Sequence, residues 1–306
     1  MTLLRIAVTG ASGFVGGAVA TALASAGHEV LGFGRRPGGW SHPRGTYLQR
    51  DLVHDAIPEI NDVNVIVHAA ALADDWADWH EAFDANVRTT GRLAGLAAHA
   101  RLVHISSASV YDPFEPNVLA AESDSLPKRY MNAYGATKAI AERIAALHPN
   151  AIMLRPHAVY GPGDTTLLPR VESRIRLGTL ALPGGGRSLH TVTHIDTMVE
   201  AVELSLQSTV TGPVNVGDAE PVAIGEFIAD ALAAKGRGVR IASVPVGGAL
   251  AVASRAEGLA KLTGSTPSTT RYAVAQIGRE RTLDLTRAHD LLGLTRRQPS
   301  LAFLAA

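Results

Sequence analysis

Short runs of aliphatic and β-branched residues alternate with longer alanine-rich stretches through the first half of the chain. Leu4–Thr9, Glu29–Phe33, Val63–His68, Leu102–Ser106 and Ala151–Arg155 are apolar at most positions, as strands are when helices cover both faces of a sheet. Val15–Ala26, Trp79–Ala100 and Ala133–Leu147 read as helices. Strand and helix in alternation predict βαβ units on a parallel sheet, and so a doubly wound α/β fold. After Arg155 the pattern breaks at Gly161-Pro162-Gly163 and Pro183-Gly184-Gly185-Gly186. Less regular elements follow, which predicts a smaller C-terminal lobe. Gly264–Thr270 reads as a loop, and no internal repeat is present.

Composition narrows the functional classes. With 306 residues and 46% hydrophobic residues the chain can bury a large core. Lys+Arg and Asp+Glu both total 28, so no overall field draws it to nucleic acid or to an anionic membrane. There is no cysteine, which excludes disulfides, thiolate metal sites and cysteine nucleophiles and suits a reducing cytoplasm. The apolar N-terminal run is too short for a signal peptide and reads as a buried strand. No apolar run reaches the ~18 residues of a membrane span.

Thr9-Gly10-Ala11-Ser12-Gly13-Phe14-Val15-Gly16 joins the first strand to the first helix. A turn this tight needs glycine, and a pyrophosphate approaches only where no side chain intervenes. The helix adds unpaired N–H groups and the positive end of its dipole. These residues predict a dinucleotide site on a Rossmann-type fold. The second strand runs out through Gly34 into Arg35 and Arg36. Gly34 stands where NAD-preferring sites place a ribose-binding acid, and a guanidinium meets the extra phosphate of NADP with two hydrogen bonds. NADP is therefore the expected cofactor and NAD the less favoured one. Asp51, with Leu52 after it, is a candidate for the adenine end.

Tyr134 and Lys138 lie four residues apart on a helical stretch, one turn apart on one face. A tyrosine has an ordinary pKa of about 10, and a neighbouring cation stabilises its phenolate, so the pair is a candidate acid/base unit. Ile105-Ser106-Ser107-Ala108-Ser109-Val110-Tyr111 follows the fifth strand. Its hydroxyls should project from the carboxyl end of the sheet, where one serine can donate to a substrate carbonyl oxygen.

Taken in order, TGASGFVG, the HAAA segment His68–Ala71, Asn86-Val87, SSASVY, YGATK and the run Leu154–Gly163 resemble the extended short-chain dehydrogenase/reductases over nearly the whole chain. The resemblance implies Tyr134 as catalytic acid/base, Lys138 as its helper and cofactor-ribose ligand, and Ser107 as hydroxyl donor, with Ser106 and Ser109 as alternatives. It implies cofactor contacts from Gly10 to Gly16, including Ser12, Gly13, Phe14 and Val15, and from Ala69, Ala70, Ala71, Asn86 and Ser106. Pro156, Ala158 and Val159 should flank the nicotinamide. It also implies a homodimer and a division into a dinucleotide-binding domain, residues 1–160, and a mainly substrate-binding lobe, residues 161–306, with some segments returning to the first. Ala71–Trp79 and Ser268–Asp284 are closer to 3β-hydroxysteroid dehydrogenase-like members than to sugar-nucleotide epimerases.

Trp76, Ser109 and His157 are candidates for the substrate side, and Trp76 and Trp79 read equally as packing residues. The segment Leu167–Arg187 should set specificity. No metal is expected: there is no His-Glu-x-x-His motif, and His190 and His194 fall in an extended stretch. No Gly-x-Ser-x-Gly elbow supports a serine hydrolase. The expected activity is NADP-dependent interconversion of a ketone and a secondary alcohol. The alternatives are a sugar-nucleotide epimerase or dehydratase that retains its cofactor, and a non-catalytic nucleotide sensor.

Overall fold

The computed structural model describes residues 2–96 and 98–304. Seven strands make the central sheet: β1 (Arg5–Thr9), β2 (Glu29–Gly34), β3 (Gly45–Gln49), β4 (Val65–His68), β5 (Arg101–Ile105), β7 (Ala151–Pro156) and β12 (Gly212–Val216). Their order is β12-β7-β5-β4-β1-β2-β3, and every neighbouring pair is parallel. The chain winds outward one way from β1 to β3 and the other way from β4 to β12. The order reverses between β1 and β4, and ligands bind at the carboxyl ends of strands beside such a reversal.

Helices cover both faces, which is why β4 and β5 are buried at every position. On one face α1 (Phe14–Ser25) and α6 (Ile195–Ser205) bury Val19, Leu23, Met198 and Val202 against the sheet. On the other, Ile60, Leu93 and Ala145 form a second core. Each fully buried leucine there contributes about 1.5–3 kcal/mol.

The helix expected over Trp79–Ala100 is broken into α2 (Trp79–Ala82), a π-helical stretch (Phe83–Arg88) and α3 (Thr89–Leu96). The Thr90 hydroxyl donates to the Asn86 carbonyl at 2.6 Å, and such back-bonding competes with the regular helical ladder. Ala98 and His99 turn instead of continuing the helix, and Ala100 is already buried at the entry to β5. The helix expected over Ala133–Leu147 is α4 (Ala133–Ala145), with Asn132 Oδ1 accepting from the Gly135 N–H at 3.0 Å.

The remaining strands are short. β13 (Val222–Ala223), β10 (Leu189–His190), β15 (Arg281–Leu283) and β6 (Asn117–Ala120) form a four-stranded sheet in that order, and β8 (Val159–Tyr160) pairs with β11 (Thr193–His194). β9 (Thr179–Pro183) pairs with β14 (Arg240–Val244). Around them lie α5 (Leu167–Glu172), α7 (Ile224–Ala234), α8 (Val246–Thr263) and α9 (Arg271–Gly278), with Tyr160, Leu180, Phe227 and Leu232 in a separate core. Traffic crosses residue 160 both ways: α6 and β12 complete the large sheet, while β6 pairs with β15. The segment Leu167–Arg187 contains α5 and β9.

Candidate active site

The glycine turn closes over the reversal point. Gly10 has φ +72°, and a Cβ there would lie 2.8 Å from the Ala70 nitrogen, so β1 and β4 can approach this closely only with glycine. A Cβ at Gly16 would lie 2.3 Å from the Gly10 carbonyl oxygen. The Thr9 hydroxyl accepts from the Ala70 N–H at 3.1 Å and pairs with His68 Nδ1 at 2.8 Å, tying the two strand ends together. Gly13 caps α1 without a side-chain bond, and the first turn carries no acidic residue, so its N–H groups and dipole are open to an anion.

At the end of β2, Arg35 and Arg36 are exposed. Their backbone is pinned from β3: the Tyr47 hydroxyl donates to the Arg36 carbonyl at 2.6 Å and Gln49 Nε2 to that of Arg35 at 3.1 Å. Among the described residues neither guanidinium pairs with a carboxylate. Asp51 is turned to local use, its Oδ1 accepting from the Val53 N–H at 2.9 Å, and the Leu52 side chain is buried in the second core.

The Tyr134 phenol stands in the first turn of α4 beside the hydroxyls of Ser107 and Ser109. Burial pushes its pKa up, and those two hydroxyls and the Arg170 charge offset this in part. Lys138 is buried, and its Nζ donates to the Ile105 carbonyl at 2.6 Å. Burial pushes this ammonium down to about 8, against the pull of Glu142. The expected lowering of the phenol by Lys138 is not found, because the ammonium is turned inward onto β5. His68, bridging Thr9 and Thr90, is pushed down to about 3 by burial and by the Lys138 charge, and is neutral.

The three candidate serines separate by their partners. Ser106 donates to Glu142 Oε2 at 2.6 Å, away from the reaction face. Its proton is therefore taken, so it is not the hydroxyl donor. Ser107 Oγ accepts from the Ser109 N–H at 3.1 Å, which leaves its own proton to donate, beside the Tyr134 phenol. Ser109 Oγ is buried without a hydrogen-bond partner.

Asn86, in the π-helical stretch, holds two pieces of the site together: its Oδ1 accepts from the Leu72 N–H at 2.7 Å and its Nδ2 donates to Thr137 Oγ1 at 2.9 Å. The loop that carries Ala69, Ala70 and Ala71 is thereby fixed to α4. Beyond β7, Ala158 is held at φ +46°, a strained value for alanine. Next to it, the His157 N–H donates to Thr193 Oγ1 at 3.2 Å and that hydroxyl donates back to the His157 carbonyl at 2.9 Å.

Two clefts open on the lobe side. One of about 410 Å³ is lined by Asp74, Asp75, Arg170, Ser173, Arg174, Arg176 and Ser268, so the Leu167–Arg187 segment does face a cavity. A smaller one of about 120 Å³ includes Trp76, Met131, Asn132, Ala133 and Tyr272. Trp79 is exposed and packs on Phe83, with ring centroids 6.1 Å apart. The His157 imidazole lies in neither cleft: its Nε2 is 3.2 Å from His190 Nδ1, and burial pushes it down to about 3.

Sequence reasoning missed Glu142, Arg155 and Tyr272. Glu142 and Arg155 form an ion pair at 2.5 Å behind Ser106. A charge on a helix or at a strand end reads as solvated, and only the fold brings the two together.

The profile of the NAD dependent epimerase/dehydratase family matches residues 6–217. A 2-alkyl-3-oxoalkanoate reductase of Stenotrophomonas maltophilia is 33% identical, covering 76% of each chain. A 4-hydroxy-2-methyl-3-oxo-4-farnesyl-3,4-dihydroquinoline-1-oxide ketoreductase of Stigmatella aurantiaca is 30% identical, covering 96% of this chain and 92% of the relative. A 3-beta-hydroxysteroid dehydrogenase of Mycolicibacterium neoaurum is 27% identical, covering 80% of this chain and 74% of its own. Among solved structures, MoeE5 in complex with UDP-glucuronic acid and NAD superposes with a TM-score of 0.75 at 25% identity, covering 98% of this chain and 96% of that one. Among the described residues no helix is long and apolar enough to cross a membrane. The chain belongs to the NAD dependent epimerase/dehydratase family and is an enzyme of the extended short-chain dehydrogenase/reductase type.

Proposed function

We propose that this chain is an NADP-dependent ketoreductase that interconverts a ketone and a secondary alcohol, with Tyr134 as its acid/base. The observation that carries the reading is the Tyr134 phenol, kept protonated by burial beside the Ser107 hydroxyl. The residues present fit a nicotinamide dinucleotide, since a Cβ at Gly10 or Gly16 would fill the turn and the first turn of α1 is uncapped and free of acid. When bound, the cofactor supplies the hydride for reduction and accepts it in oxidation. Tyr134 gives its proton to the carbonyl oxygen, and Ser107 donates a hydrogen bond to the same oxygen as negative charge develops there. Lys138 keeps a cation beneath the site and would hold the nicotinamide ribose. Asn86 keeps the Leu72 loop and α4 in register.

NADP over NAD rests on Gly34 in place of an acid and on two arginines that have no carboxylate partner among the described residues. The ketone reading draws support from the reductase relatives. A retained-cofactor epimerase is the second reading, favoured by the likeness to a structure that holds a UDP-sugar acid. One paired experiment separates them: consumption of NADPH and NADH against a panel of ketones, with calorimetric titration of UDP-glucuronic acid. Ketone-dependent NADPH oxidation with no sugar-nucleotide binding is expected. Tight sugar-nucleotide binding without net NADPH consumption would overturn the reductase reading.

A further inference from the structure

α9 begins with three consecutive residues that behave differently. Thr270 donates its hydroxyl to Asp75 Oδ2 at 2.5 Å, across to the loop after β4, and its Oγ1 also caps α9 by accepting from the Ala273 N–H at 3.1 Å. Arg271 is held at 2.7 Å by Glu257 of α8, through both its backbone N–H and its Nε. Tyr272, fixed between these anchors, turns its ring into the smaller cleft. The same cleft is lined by Met131, Asn132 and Ala133, the residues that lead into Tyr134.

We propose that Tyr272 is a substrate-binding residue whose phenol holds a second oxygen of the ketone, beside the carbonyl that Tyr134 and Ser107 serve. The ring is half-buried, and its hydroxyl faces that of Ser109, which acts on the phenol as a donor would and leaves the Tyr272 proton for another acceptor. If packing alone were required of this position, a phenylalanine would satisfy it. The second argument is Ser109, whose buried Oγ has no hydrogen-bond partner and which neighbours both phenols, those of Tyr134 and Tyr272. A buried hydroxyl left without a partner is destabilising, and a substrate oxygen lying between the two phenols meets that deficit. Burial raises the Tyr272 phenol above its ordinary value, so it is a donor at neutral pH. Donors from Ser107 and Tyr134 on one oxygen and from Ser109 and Tyr272 on another select a dioxygenated substrate: a ketone with a nearby carbonyl, ester or hydroxyl group.

This proposal rests on the ketoreductase reading, and the test keeps the two apart. Ethyl acetoacetate and methyl pentyl ketone have the same chain length, and the second lacks the ester oxygens. The ratio of their kcat/KM values is measured with NADPH for the wild-type enzyme and for Tyr272→Phe. The wild-type ratio is expected to favour ethyl acetoacetate, and Tyr272→Phe to lower that ratio by about tenfold, the equivalent of one hydrogen bond. The ratio cancels any loss of folded or cofactor-loaded enzyme. A wild-type enzyme that reduces both ketones with a ratio unchanged in Tyr272→Phe overturns the Tyr272 assignment alone. A wild-type enzyme that reduces neither overturns this proposal together with the reductase reading.

Discussion

At the scale of single residues, the direction of the Tyr134 pKa decides which half of the cycle the free enzyme is ready for. A phenol raised above its ordinary value keeps its proton at neutral pH, as reduction of a ketone requires. Tyr134→Phe removes that proton and little else. Turnover is expected to fall at least about a hundredfold while cofactor affinity, followed by fluorescence titration, stays near wild type; near-normal turnover would remove Tyr134 from the mechanism. Arg35 is the residue on which the NADP assignment turns. Arg35→Ala is expected to weaken NADPH binding by roughly ten- to a hundredfold and to leave NADH nearly unchanged. Equal losses for both would make Arg35 a support of its loop. The reciprocal substitution that the sequence suggests, Gly34→Asp, is a poor test. A Cβ at Gly34 would lie 2.6 Å from the Tyr47 hydroxyl and 2.7 Å from Ser12 Oγ, and Tyr47 anchors the Arg36 backbone. The sequence shows which residue occupies a position, but the space around it comes from strands that pair at a distance.

Among the elements, α4 does two things a surface helix does not: it brings Tyr134 to the reaction face and carries Lys138 on its buried side, with Ala139, Ala141 and Glu142. The four-residue spacing and the apolar positions made this helix legible in the sequence. The inward turn of Lys138 onto the Ile105 carbonyl was not, because spacing says nothing of where a flexible side chain ends. The same limit applies to Trp79–Leu96, where the period announces a helix while two threonine hydroxyls and Asn86 open it into a π-helical stretch. The burial of Lys138 has a measurable consequence. Its folded pKa is about 8 against an ordinary 10.5, so between those values the unfolded chain binds more protons and stability rises with pH. The penalty is full below about pH 8 and gone above the unfolded pKa. Lys138→Met should therefore gain most over wild type near neutral pH. The gap, read by urea denaturation from about pH 7 to about pH 10, should shrink by on the order of 3 kcal/mol. A gap independent of pH would mean that the buried ammonium is not strained.

On the scale of the whole molecule, the parallel sheet covered by helices followed from the alternation of elements, and the dinucleotide turn from its glycines, whereas the strand order and the reversal between β1 and β4 are seen only in the fold. So is what joins the large sheet to the lobe. Glu142 of α4 accepts from Ser106 and from Arg155 of β7, Arg155 donates to the Tyr111 hydroxyl at 2.8 Å, and Tyr111 donates to Asn215 of β12 at 2.7 Å. Asn215 in turn donates to the carbonyls of Ala120 and Asp284 at 2.8 and 3.0 Å, reaching the end of β6 and the residue after β15. One polar chain thus runs from Ser106 at the end of β5 to the lobe sheet, through residues too far apart in sequence for any local pattern to link them. The Glu142 and Arg155 side chains are 6% and 3% exposed, so each charge depends on the other. Glu142→Leu leaves the guanidinium buried without a counter-charge and is expected to cost about 3–5 kcal/mol, seen as a lower denaturation midpoint. Adding Arg155→Met removes the orphaned charge and replaces it with a side chain of similar length. The double variant should then be more stable than Glu142→Leu alone, because desolvating two charges consumes much of what their attraction returns. If the two losses simply add, the pair acts through separate contacts, Glu142 with Ser106 and Arg155 with Tyr111, and the connection between sheet and lobe does not depend on their mutual charge.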